Sequence, residues 1–118
     1  MEQILDSGAE ALCGGGRLAD GALERGCFVA PTVFAGVDSG MTIAREEIFG
    51  PVLSVLRAES LDRAIELAND SEYGLSGNVW TSDLEKGERI GERMVTGSVR
   101  LTASMGTSTS RLQVKGIR

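Results

Sequence analysis

The sequence predicts an α/β fold, with a short, mainly parallel sheet whose strands are joined by crossover helices and which forms part of a larger domain. One stretch carries apolar residues at helical spacing, a second opens with capping-box spacing, and three short runs read as strands. The two kinds alternate with short joints between residues 52 and 101. Such alternation implies parallel strands with helical returns. Three strands are too few to cover both faces of a parallel sheet, so the segment reads as a piece of something larger.

Along the chain, the polar lead-in Met1–Glu10 reads as the last turns of a helix, and the apolar Ala9–Cys13 as a short strand. GGGRLADGALERG has the glycine content of a surface loop or hairpin. CFVAPTVFAGV is rich in β-formers but contains Pro31, which suits an edge strand or an extended connection. VLSVLRA is a near-continuous apolar run and predicts a strand over 52–57 buried on both faces.

In SLDRAIELANDS, Leu61, Ala64, Ile65 and Ala68 fall on one face of a helix over 60–70 that Ser60 caps. Arg63, Glu66 and Asn69 point away from that face, and Asn69 and Asp70 close the helix. YGLSG ends the helical pattern and GNVWT supplies a strand over 78–81, with Trp80 in the core. TSDLEKGERIGERMV predicts a helix over 83–95, where Ser82 and Glu85 have capping-box spacing. TGSVRL gives a strand over 97–101. The three strands are expected as parallel neighbours in one sheet. Gly87 and Gly91 inside the second helix each cost about 1 kcal/mol relative to alanine.

Composition narrows the chemistry. With 118 residues, 42% of them hydrophobic, the chain can build a packed core. Residues 1–100 hold all 17 acids against nine bases, an acidic balance that argues against a nucleic-acid partner. No apolar run approaches the roughly 20 residues that cross a bilayer. The N-terminal MEQILDSGAE has acids where a signal peptide needs bases and an apolar stretch, so the chain reads as cytoplasmic with no membrane partner.

The chain has no histidine, so a Ser-His or Cys-His nucleophile cannot form within it and a zinc site would need carboxylates. No metal site and no catalytic residue is predicted. Cys13 and Cys27, the only cysteines, read as small buried hydrophobes. Gly14–Gly16 lack the strand-to-helix setting of a phosphate loop.

EEIFGP, residues 46–51, places two adjacent acids before an aromatic, a glycine and one of only two prolines. Taken as residues alone, Glu46 and Glu47 are solvated loop acids and Phe49 is core. GCFVAPTVF, MTIAREEIFGPVLSV, AIELANDSEYGLSGNVWT and the helix ending RMVTGSV resemble, in order and spacing, the C-terminal part of the catalytic domain of the NAD(P)-dependent aldehyde dehydrogenases.

The resemblance covers residues 1 to about 100 and implies a role for the motif. Glu47 accepts hydrogen bonds from both hydroxyls of the nicotinamide ribose, and Phe49 lies against the reactive end of the NAD or NADP cofactor. An ionised carboxylate suits a vicinal diol because its two acceptor oxygens match two O–H donors. Glu46 remains a solvated acid. Tyr73, Gly74 and Leu75 look like a segment lining the family's active-site region, although a glycine-containing helix end explains them equally well.

Members of that family oxidise an aldehyde to a carboxylic acid through a cysteine thiolate and a glutamate that activates water, and they assemble as oligomers. The nucleophilic cysteine, that glutamate and the Rossmann half lie upstream of the matched region, so the chain reads as a fragment that is inactive alone. The alternative is a non-catalytic module that binds a nucleotide or a protein through the sheet.

After TGSV the resemblance stops. Residues 101–118 contain six Ser or Thr, three bases and no acid, the composition of a divergent or frame-shifted tail.

Overall fold

The computed structural model describes residues 8–103 and 107–112. The helical lead-in expected before residue 8 lies outside them. The chain divides into two compact units, Met1–Arg57 and Ala58–Arg118.

The first unit contains β1 (Glu10–Cys13), β2 (Arg17–Leu18), a 3-10 turn (Gly21–Leu23), β3 (Phe28–Val29), β4 (Thr32–Ala35), the single-turn helix α1 (Thr42–Arg45) and β5 (Val52–Ser54). Its main sheet has the order β1-β4-β5, with β1 antiparallel and β5 parallel to β4. Strand β4 is therefore the centre of the sheet and not the edge expected from Pro31. The proline falls just before the strand, where its missing N–H removes no ladder bond.

The ladder between β4 and β5 opens with the Thr32 amide donating to the Pro51 carbonyl at 2.8 Å and continues with Val55 donating to Phe34 at 2.8 Å. Phe34 is fully buried with Ala9, Val37 and Ile43, and Met41, Ala44, Val52 and Leu56 pack around them. An aromatic buried in this way anchors a small core.

The glycine-rich stretch forms a hairpin in which β2 pairs antiparallel with β3. Arg17 holds its loop by donating to the carbonyls of Glu24 at 3.2 Å and Gly26 at 2.8 Å. Gly14 has φ of 77°, and a side chain there would collide with the Pro31 carbonyl and the Thr32 hydroxyl. That close approach lets the buried Thr32 hydroxyl accept from the Gly15 amide at 2.9 Å and donate to the Ala30 carbonyl at 2.8 Å.

In the second unit, α2 (Leu61–Asn69) precedes β6 (Gly77–Trp80), α3 (Leu84–Glu92), β7 (Val99–Ala103) and β8 (Thr107–Leu112). Strands β6 and β7 are parallel with α3 as their crossover, and β8 returns antiparallel to β7. Each three-stranded sheet is thus mixed, not mainly parallel. The strand expected over 52–57 pairs with β4 in a different sheet from β6 and β7, which corrects the single-sheet expectation.

Strand β5 is also not buried on both faces. Leu53 and Val55 are exposed while Val52 and Leu56 pack on the core, the alternation of a strand covered on one side. Trp80 is 65% exposed, beside the buried Val79, and is likewise not core.

Ser60 caps α2 as expected, its hydroxyl accepting from the Arg63 amide at 3.1 Å. Ile65 is the buried residue of that helix, whereas Leu61 and Ala68 are exposed. The cap of α3 is Asp83, whose carboxylate accepts from the Lys86 amide at 2.9 Å, and not the Ser82–Glu85 pair. An ionised acceptor at the helix start makes a charge-assisted bond and favours the positive end of the helix.

The glycines of α3 have a packing reason. Gly87 and Gly91 are buried, and a Cβ on Gly87 would come within 2.9 Å of the Thr81 methyl and 3.4 Å of Leu101. Their absent side chains let α3 lie close to the sheet, where Ile90 and Met94 cover Val79, Val99 and Leu101.

Candidate functional site

Residues 46–51 leave α1 as an exposed arm, and the two ends of that arm are fixed. At its start, the Glu46 amide donates to the Thr42 carbonyl at 2.9 Å, Ile43 is buried, and the Ser54 hydroxyl donates to the Ile43 carbonyl at 3.3 Å. At its end, Pro51 sits in a tight turn closed by the Val52 amide on the Gly50 carbonyl at 2.8 Å, and the Pro51 carbonyl takes the first rung of β4–β5. A side chain on Gly50 would come within 3.3 Å of the Ile48 carbonyl, so the turn favours glycine.

Between these anchors, Glu47, Ile48, Phe49, Gly50 and Val52 line an open depression of about 390 Å³. Phe49 is 95% exposed, so it is not the core residue its type suggests. Glu46 is exposed as well. The arm therefore brings a carboxylate and a flat apolar ring to one solvent-facing depression. That pairing can take the hydroxyls of a sugar on the acid and a ring system on the aromatic.

Both cysteines are exposed, contrary to the buried expectation, and neither is in a disulfide. The Cys13 thiol donates to the Pro31 carbonyl at 4.0 Å. Among the described residues no group of three His, Cys, Asp or Glu side chains is placed to hold a metal ion. No helix among them is long and apolar enough to cross a membrane.

Tyr73 and Leu75 are exposed, and the Gly74 carbonyl accepts from the Gly97 amide at 2.7 Å. Sequence reasoning did not single out the hollow of about 570 Å³ beside them, lined by Leu75, Ser76, Gly77, Asn78, Ser98 and Arg100. Its polar residues come from two strand starts 20 or more positions apart, a juxtaposition that no local pattern reveals.

A family model described as the aldehyde dehydrogenase family matches residues 1–118. The chain belongs to the aldehyde dehydrogenase family. It is 54% identical over 97 residues to the geranial dehydrogenase of Castellaniella defragrans, covering 82% of this chain and 20% of that protein. A Mycobacterium tuberculosis aldehyde dehydrogenase complexed with NAD+ superposes with a TM-score of 0.81 at 43% identity, over 98% of this chain and 24% of the other. The betaine aldehyde dehydrogenase of Staphylococcus aureus in complex with NAD+ gives 0.82 at 37% identity, over 92% of this chain and 21% of the other. This aldehyde dehydrogenase chain thus spans between a fifth and a quarter of the length of these relatives.

Proposed function

We propose that the chain is the C-terminal part of the catalytic domain of an NAD(P)-dependent aldehyde dehydrogenase and serves the oxidation of an aldehyde to a carboxylic acid. The observation that carries this reading is the joint exposure of Glu47 and Phe49 on an arm fixed at both ends. Glu47 would hold the two hydroxyls of the nicotinamide ribose, and Phe49 would lie against the nicotinamide end. The residues fit that group, because the acid offers two acceptor oxygens and the ring an uncovered face. The bound cofactor supplies the hydride acceptor. The chain's own contribution is to position it, and rate is sensitive to such positioning.

Alone, the chain is inactive under this reading. The nucleophilic cysteine, the water-activating glutamate and the fold that grips the adenine end belong to the remainder of the enzyme. The aldehyde substrate, the oligomeric state and a cytoplasmic location are likewise taken from the whole enzyme.

Residues 101–118 are read as a divergent or frame-shifted tail. Strand β7 runs across the change of composition to Ala103 and Leu101 is fully buried, so the break falls inside a strand. The other reading frames of the coding DNA test this: the family's continuation in one of them supports a frame change, and its absence refutes it.

The purified chain, incubated with NAD or NADP and a panel of aldehydes, is expected to form no NAD(P)H. Cofactor reduction abolished by Cys13→Ser or Cys27→Ser would overturn the fragment reading.

A further inference from the structure

The register of the first sheet sets Cys13, Val33 and Leu53 in one row across β1, β4 and β5. Register partners share a face and side chains alternate along a strand, so Val55 lies on this face too. The opposite face carries Phe34 and Val52 and belongs to the core. The row itself meets water: Cys13 is exposed, Leu53 is 59% exposed and Val55 is 44% exposed.

The chemistry of the row is that of an interior. Its four side chains come from three strands and none is charged, and a contiguous apolar patch of this kind marks an interaction surface. Strands β4 and β5 are parallel, and parallel strands occur with helices on both faces. VLSVL supplies β5 with apolar residues for both sides, yet only Val52 and Leu56 are packed within this chain while Leu53 and Val55 are not. Cysteine is among the most often buried residue types, and a cover over this face would bury Cys13 with its neighbours.

The relatives indicate what provides the cover. This chain matches between a fifth and a quarter of their length, so most of each relative lies beyond the matched part. We propose that the face formed by Cys13, Val33, Leu53 and Val55 is the docking surface for an amphipathic helix from the rest of an aldehyde dehydrogenase catalytic domain, and that the 118-residue chain assembles with that part as a separate polypeptide. This rests on the chain being a part of that enzyme, as proposed for its function. A helix fits because the open element is a sheet face, which takes the apolar stripe of a helix, whereas a strand would add to an edge.

The test co-expresses the 118-residue chain with the geranial dehydrogenase of Castellaniella defragrans from which the matching segment is deleted. Gel filtration reads assembly, and iodoacetamide labelling mapped by mass spectrometry reads the face without any variant. The two polypeptides should co-elute, and alkylation of Cys13 should slow by about tenfold or more relative to the free chain. Cys27 precedes β3 in the other sheet and serves as the internal reference. Leu53→Glu should abolish co-elution and leave the circular dichroism of the free chain unchanged, since Leu53 is already exposed. Leu18→Glu, in the β2–β3 hairpin, should leave co-elution intact.

Separate elution, or recovery of both polypeptides only as aggregate, would overturn the proposal. So would co-elution undiminished by Leu53→Glu, loss of co-elution in Leu18→Glu, or Cys13 labelled in the complex at the free rate. A homo-oligomer of the chain alone that shields Cys13 and is dispersed by Leu53→Glu would give the face to a second copy and overturn it as well. NAD reduction by the complex scores the functional reading separately. Shielded Cys13 in a complex whose turnover is indifferent to Glu47→Gln would support the docking face and contradict the role given to Glu47.

Discussion

Asn69 clamps the turn at Val95: its side-chain oxygen accepts the Val95 amide at 2.8 Å while its nitrogen donates to the Arg93 carbonyl at 2.9 Å. A residue at the end of α2 therefore holds the turn that follows α3, 24 and 26 positions away. Arg93 adds an ion pair to Asp62 at 2.7 Å, so both ends of α2 reach the same turn. Asn69→Ala should destabilise the second unit by about 1–3 kcal/mol, since two hydrogen bonds are lost together. Asp62→Asn should cost less than about 1 kcal/mol, because its ion pair is solvent-exposed. Urea unfolding followed by circular dichroism separates the two, and equal costs would show that the amide clamp carries no special weight.

Glycine inside a helix usually invites replacement by alanine, which gains about 1 kcal/mol at an exposed site. At Gly87 the sign should reverse. The new methyl group meets Thr81 at 2.9 Å, and the Thr81 hydroxyl is itself held by the Asp83 amide at 3.2 Å. Gly87→Ala should therefore destabilise by about 1–2 kcal/mol through overpacking. A higher thermal midpoint for this variant would contradict the close packing of α3 on the sheet.

The cap of α3 is open to a direct comparison. Asp83→Ala should cost about 1 kcal/mol, because it removes the acceptor of the Lys86 amide. Ser82→Ala should leave the unfolding midpoint within about 0.5 kcal/mol of the parent, as for a surface change away from such features. The reverse order would restore the capping box read from the sequence.

Much of the second unit was legible in the sequence. The α2 helix with its Ser60 cap and the β6-α3-β7 alternation follow from local pattern, although of the α2 face Ile65 is buried while Leu61 and Ala68 are exposed. Local pattern does not say which neighbour covers a face. For that reason VLSVLRA was assigned to the wrong sheet and to two-sided burial, and Trp80 and both cysteines were placed inside. At the candidate site, Glu47 and Phe49 stood out through family resemblance, since an acid pair and an aromatic have an ordinary reading as surface and core. The row of Cys13, Val33 and Leu53 depends on strand register, which appears only when the sheet is assembled.

Two phenylalanines should behave in opposite ways. Phe34→Ala removes a fully buried ring and should cost about 3–5 kcal/mol. Phe49→Ala, at 95% exposure, should leave the stability of the isolated chain unchanged. A large loss of stability from Phe49→Ala in denaturant unfolding would mean that this ring is core and not available to a cofactor.

The most direct test of the role assigned to Glu47 is Glu47→Gln in a full-length enzyme, made by exchanging this segment for the matching part of the geranial dehydrogenase that is 54% identical to it. Single-turnover NADH and NADPH formation and the KM for each cofactor would be measured against the parent chimera. An amide offers one acceptor oxygen where the carboxylate offers two, so the substitution should raise the cofactor KM and slow hydride transfer by about tenfold or more, the equivalent of one charge-assisted hydrogen bond. Unchanged rate and KM with both cofactors would contradict the assignment of Glu47 to the nicotinamide ribose.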